Sequence, residues 1–130
     1  MASRGIRDRV AIVGMGCTRF GEHWDKGVPD LLLESWEGAL RTANLQANDV
    51  DAYWFGTMGS GASGLTLSRA LQLRNKPVTR VENYCATGSE ALRNAAYAVA
   101  SGAYDVAMAI GVEKLKDSGI SGLTTPLVPG

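Results

Sequence analysis

Four short strand-like runs alternate with three segments of helical period, and this alternation limits the folds open to the chain more than any other feature. Val10-Ala-Ile-Val13 is apolar and stops at Gly14. Residues 52–55, Ala-Tyr-Trp-Phe, stop at Gly56, residues 78–81 follow the breaker Lys76-Pro77, and residues 105–110 hold an unbroken apolar stretch. Between the runs, residues 29–43 carry Leu32, Trp36, Ala39, Leu40 and Ala43 at helical spacing, and residues 64–73 carry Leu67, Ala70 and Leu71. Residues 86–101 carry Leu92, Ala95, Ala96, Val99 and Ala100. Pro29 suits a first helical turn, where its missing N–H is not needed. Asn44 and Gly102 suit helix C-terminal caps. The order β-α-β-α-β-α-β predicts a layered α/β domain over residues 1–130, with a mostly parallel sheet, right-handed crossovers and helices on its faces. The alanine-rich face of the third helix predicts deep burial, and the run at 105–110 predicts a strand covered on both sides. From about residue 118 the composition becomes loop-like, and no internal repeat is visible.

Cys85 falls where a strand ends and a helix begins, in Val81-Glu-Asn-Tyr-Cys85-Ala-Thr-Gly-Ser-Glu90. A helix start has unpaired N–H groups and a partial positive charge, which favour a thiolate. The same groups, at residues 86–88, are placed to polarise an oxyanion when a carbonyl is attacked. A sharp strand-to-helix turn also lifts a side chain off the sheet, and Gly88 is expected to let the first turn pack tightly. The competing reading is a buried cysteine acting as a small hydrophobe. Cys17 takes that second reading, because it lies in a charged loop with no helix start behind it. His23, the single histidine, reads as a solvated loop residue with no visible partner and no route to Cys85.

The segment Asn83-Tyr-Cys85-Ala-Thr-Gly-Ser89 resembles the nucleophile segment of thiolases, especially the sterol-carrier-protein and lipid-transfer type, with acetyl-CoA acetyltransferases in the same superfamily. Val10-Ala-Ile-Val-Gly-Met-Gly-Cys-Thr-Arg-Phe-Gly21 resembles the first strand and loop of that group. Gly102-Ala-Tyr-Asp-Val-Ala-Met-Ala-Ile-Gly-Val-Glu-Lys-Leu115 resembles the strand after the nucleophile helix. The resemblance implies the N-terminal half of a thiolase fold, with Cys85 as the acylated cysteine. It implies a coenzyme A thioester as substrate, an acyl-CoA partner, no permanently bound cofactor and no metal. The acyl group would pass in condensation or in thiolytic cleavage. It also implies a second, similar half that supplies histidines and usually a second cysteine. That half is absent here, so the isolated chain is expected to be inactive. A fragment is the favoured reading; half of a split enzyme and a catalytically reduced relative are the others. A homo-oligomer, or a partner subunit supplying the missing half, is expected to cover the apolar surface left open.

Two other function classes stay open. One is a non-catalytic acyl- or lipid-binding subunit, or a partner in a retro-aldolase complex. The other is a dinucleotide-binding domain, since Gly59-Ser-Gly61-Ala-Ser-Gly64 fits a glycine motif between a strand and a helix. Against the latter, Gly56-Thr-Met58 separates the strand from the first glycine, so a flexible loop covering a pocket or a subunit contact is the preferred reading. Thirteen basic residues balance thirteen acidic ones, so no net field draws nucleic acid or an anionic membrane surface. The apolar run at 10–13 is too short for a signal peptide or membrane span, which makes a cytoplasmic location the default expectation. Cys17 and Cys85 match no metal-ligand spacing and are expected to be free thiols.

Overall fold

A computed structural model describes residues 5–119, and the loop-like text expected beyond them lies outside the described residues. Three helices and three strands alternate: α1 Val28–Ala43, β1 Ala52–Gly56, α2 Gly64–Ala70, β2 Val78–Val81, α3 Thr87–Ala100 and β3 Ala107–Gly111. The sheet is parallel with strand order β2-β1-β3. Parallel neighbours need crossovers, which α2 and α3 supply. α1 begins with Pro29 in its first turn and ends at Asn44, whose left-handed φ of 55° fits a C-cap.

Strand alternation divides the side chains of β1 between two layers. Tyr53 and Phe55 join Leu32, Leu40, Leu67, Leu71 and Ile110 in the main core, against α1 and α2. Fully burying a side chain of this size contributes about 1.5–3 kcal/mol. On the other face, Gly56 lies against Thr87 and Ala91 of α3. Ala91, Ala95 and Ala100 are buried, so α3 does dock through small residues. Its outer face is open, with Leu92 and Tyr97 exposed, which corrects the expectation of a deeply buried helix. The strand expected at 105–110 is Ala107–Gly111, and only Ile110 in it is buried. An apolar run shows that a strand can be covered on both faces, not that both covers are present.

The run at 10–13 forms no strand, and this corrects the sequence expectation. The backbone that follows it lies along α1 instead. Met15 N–H donates to Thr42 Oγ1 at 2.9 Å, and that hydroxyl donates to the Met15 carbonyl at 2.7 Å. A Cβ on Gly16 would stand 2.0 Å from the Ser35 carbonyl oxygen, so only glycine lets the chain approach so closely. Ile12 and Val13 remain 69% and 63% exposed. An apolar run bounded by glycine fits a sheet strand and a strip laid against a helix equally well. No helix among the described residues is long and apolar enough to cross a membrane.

Candidate functional site

Gly56 of β1 is in register with Val81 of β2 and Gly111 of β3, so all three strands end at one edge. The segments leaving them, 57–63, 82–86 and 112–118, therefore gather there. Open parallel sheets bind ligands outside the carboxyl ends of their strands. Cys85 lies on this edge.

The joint at Cys85 is a turn of 3-10 helix, Tyr84–Ala86, running directly into α3. Cys85 is an exposed free thiol, and so is Cys17, which excludes the buried-hydrophobe reading of Cys85 and corrects that expectation for Cys17. Tyr84 before it has φ 46°, a left-handed conformation that costs an aromatic residue on the order of 1–3 kcal/mol. Thr87, only 8% exposed, holds this turn. Its Oγ1 accepts from Asn83 N–H at 2.8 Å and donates to the Tyr84 carbonyl at 2.7 Å. Tyr84 N–H donates to Glu82 Oε1 at 2.5 Å.

Two expectations about this turn need correction. Ala86 N–H donates to the Asn83 carbonyl, and Thr87 N–H to the Tyr84 carbonyl. Two of the three N–H groups expected to polarise an oxyanion are therefore engaged within the turn. Gly88 is exposed, and a Cβ there would meet nothing within 4 Å. The tight approach belongs to Gly56, where a Cβ would stand 3.1 Å from Thr87 Cγ2.

The glycine-serine loop after β1 is tied on both sides of its backbone. Glu113 Oε2 accepts from Met58 N–H at 2.7 Å, and Oε1 accepts from Gly59 N–H at 3.1 Å and Ser60 Oγ at 2.8 Å. Arg80 Nη2 donates to the carbonyls of Thr57 and Met58 at 2.8 and 3.0 Å, and its Nε to that of Gly61 at 2.9 Å. Desolvation pushes the Glu113 carboxyl up. The hydrogen bonds from Met58, Ser60, Gly59 and Thr57 outweigh it and hold the carboxyl below its ordinary range. This loop was expected to be flexible; the structure gives it a fixed clamp. It does line a cleft of ≈ 520 Å³, with Gly59, Ser60, Gly61 and Ala62 facing Val28, Lys114 and Leu115. The dinucleotide reading loses its cradle, because a protein carboxylate already takes the N–H groups at 58 and 59. Cys85 is not part of the cleft wall.

Lys114 turns the other way. Its Nζ donates to the carbonyls of His23 and Lys26, each at 2.7 Å, and to Asp117 Oδ2 at 2.6 Å. Asp117 also accepts from His23 N–H at 2.9 Å. Lys114 and then the His23 amide hold the Asp117 carboxyl below its ordinary range. His23 is thus a half-buried residue with partners, not the solvated one expected. Its ring Nε2 lies 2.6 Å from the Arg19 carbonyl. A carbonyl can only accept, so that nitrogen carries a proton.

Sequence reasoning singled out Cys85 and passed over Thr87, Gly56, Glu113 and Arg80 as residues with a role. Arg80 left the clearest trace, as a charge inside a four-residue strand. Glu113 stood in a segment read only for resemblance.

A parallel α/β domain with a cysteine turn at the carboxyl edge of its sheet is a thiolase-like architecture. The solved structure of 3-oxoacyl-(acyl-carrier-protein) synthase III from Aquifex aeolicus shares this fold, with a TM-score of 0.61 at 20% identity over 72% of this chain and 32% of that one. The chain belongs to the thiolase family: the family's N-terminal domain matches residues 10–124. It is 41% identical over 119 residues to an acetyl-CoA acetyltransferase of Methanothermobacter thermautotrophicus, covering 86% of this chain and 30% of that protein. It is 34% identical over 114 residues to human sterol carrier protein 2, covering 82% of this chain and 20% of that protein. The chain thus spans less than a third of the length of either relative.

Proposed function

We propose that this chain is the cysteine-bearing part of a thiolase-type acyltransferase. Cys85 Sγ attacks the carbonyl carbon of a coenzyme A thioester. A new carbon–sulfur bond forms, the bond to the coenzyme A sulfur breaks, and coenzyme A leaves as its thiol. The acyl group then passes to a second acceptor, in condensation or thiolytic cleavage. The observation that carries this reading is an exposed sulfur on a hydrogen-bonded, left-handed turn at the carboxyl edge of a parallel sheet. The name of the Methanothermobacter relative supports acetyl-CoA as the first donor to try.

The acid–base groups for turnover come, on this reading, from a partner subunit or a second half of the protein. His23 is tied within its own loop, so it offers Cys85 no base. Full turnover is accordingly assigned to an assembled protein, and acyl-enzyme formation alone to this chain. The likeness to sterol carrier protein 2 favours a second reading, a non-catalytic acyl- or lipid-binding subunit. The two differ in whether the cysteine is needed.

The test is incubation of the chain with acetyl-CoA, followed by intact mass and peptide mapping. The expected product is one hydroxylamine-sensitive acetyl group on Cys85, lost in Cys85→Ala and kept in Cys17→Ala. No adduct on Cys85 in a folded chain would overturn the transfer reading. Acyl-CoA binding that is undiminished by Cys85→Ala would favour the carrier.

A further inference from the structure

We infer that Thr87 is a positioning residue for the sulfur of Cys85, acting through the left-handed backbone of Tyr84. This rests on the reading of Cys85 as the reacting group. The inference starts from a conflict in the sequence. Tyrosine is a poor choice for a φ of 46°, yet Tyr84 adopts it immediately before the cysteine. Something outside Tyr84 must hold it there. Glu82 Oε1 accepts from its N–H, the Thr87 N–H donates to its carbonyl, and one hydroxyl spans it: Thr87 Oγ1 takes the N–H of Asn83, before the strained residue, and gives its proton to the carbonyl of Tyr84 itself. That carbonyl belongs to the peptide leading into Cys85. Fixing its direction fixes where the Cys85 Cα–Cβ bond points.

The rest of Thr87 is fixed by a separate contact. Its methyl group faces Gly56 at the end of β1, at a position where a Cβ would come within 3.1 Å. The sheet therefore locates Thr87, and Thr87 locates the turn. Without the hydroxyl, the Asn83 N–H loses its partner in a site where Thr87 is almost fully buried. The hold on Tyr84 is then reduced to the Thr87 N–H and Glu82, and relaxation to a negative φ swings the Tyr84–Cys85 peptide and withdraws the sulfur from its present direction.

The two functions of Thr87 can be separated. Thr87→Val keeps the shape and removes the hydroxyl; Thr87→Ser keeps the hydroxyl and removes the methyl. The readout is the second-order rate of iodoacetamide labelling at Cys85, with Cys17 in the same molecule as the internal reference. Thr87→Val is expected to lower the Cys85 rate roughly tenfold, the scale of one lost hydrogen bond, with Cys17 unchanged. Thr87→Ser is expected to stay within about threefold of the wild type, since its hydroxyl is retained. Adding Tyr84→Gly to Thr87→Val should restore much of the rate, because glycine adopts a left-handed φ without support. Far-UV circular dichroism and the Cys17 rate report whether each variant is folded. If Thr87→Val folds poorly, the comparison of Thr87→Ser with Thr87→Ala gives the same contrast.

An unchanged Cys85 rate in folded Thr87→Val would overturn the inference, as would an equal loss in Thr87→Ser. The labelling assay needs no acyl-CoA, so it separates this idea from the proposed function. A chain that is never acetylated but whose Cys85 rate falls in Thr87→Val keeps the positioning role and loses the acyltransferase. A chain that is acetylated equally well with and without the hydroxyl does the reverse.

Discussion

The two segments that carry cysteine are both exposed, yet they are held in opposite ways. Around Cys85, backbone groups are bonded to a buried threonine, a strained tyrosine is fixed, and a glycine of the sheet receives the contact. Around Cys17, the chain lies on the side of α1 through close glycine contacts and one threonine, with no strand partner. Its apolar side chains point outward, Phe20 being 91% exposed. Exposure alone therefore does not distinguish the two cysteines. The backbone geometry behind each sulfur does.

The largest expected effect comes from breaking the anchor that ties the loop at residues 23–26 to the segment after β3. Lys114 and Asp117 form an ion pair with side chains only 9% and 8% exposed. Lys114→Met leaves that carboxylate and the carbonyls of His23 and Lys26 without their donor, and is expected to lower the midpoint of chemical denaturation more than the substitutions below. Hydrogen exchange should rise around residues 23–26, while the Cys85 labelling rate is retained.

A pair of glycine substitutions sharpens the contrast. Gly56→Ala and Gly16→Ala should each destabilise by about 1–3 kcal/mol through crowding. The first should alter labelling of Cys85 and spare Cys17. The second should lift the N-terminal segment from α1 and alter only Cys17.

Next in size is the clamp on the 57–60 loop. Glu113→Gln keeps one accepting oxygen, now neutral, and turns an NH2 donor toward the N–H that the other oxygen served, for about 1–2 kcal/mol at neutral pH given partial solvent access. The folded carboxyl titrates below its ordinary value of 4.5, so its stabilisation is complete above that value and is lost as pH falls through the lower folded value. Other carboxylates share this trend, Asp117 among them. The difference between wild type and Glu113→Gln should therefore shrink on acidification. A difference that stays constant between neutral pH and pH 3 would remove Glu113 from the account. The smallest effect belongs to Cys17→Ser, expected within about 0.5 kcal/mol of wild type.

The fold was legible where a pattern demanded a partner already present in the chain. The periodicity of α1, with Pro29 and Asn44 at its ends, located that helix to within a residue. The aromatic run at 52–55 was placed equally well; α3 was bounded to within a residue at each end, but its buried face runs through Ala91, Ala95 and Ala100 and leaves Leu92 exposed. The run at 10–13 misled because its pattern carries no information about which surface receives it. Cys85 was legible from its place at a strand–helix joint. Thr87 and Glu113 were not, since each acts on backbone groups whose direction depends on the folded turn. Gly88 was chosen over Gly56 because glycine in a motif is conspicuous, whereas a glycine ending a strand passes as a simple stop.

The central claim is that the folded turn makes the sulfur of Cys85 more reactive than that of Cys17. The direct measurement is the ratio of their iodoacetamide labelling rates in one molecule, native and in denaturant. The account predicts a native ratio on the order of ten or more in favour of Cys85, falling toward one when the turn is unfolded. A ratio near one in the folded protein, or one that unfolding leaves unchanged, would contradict it.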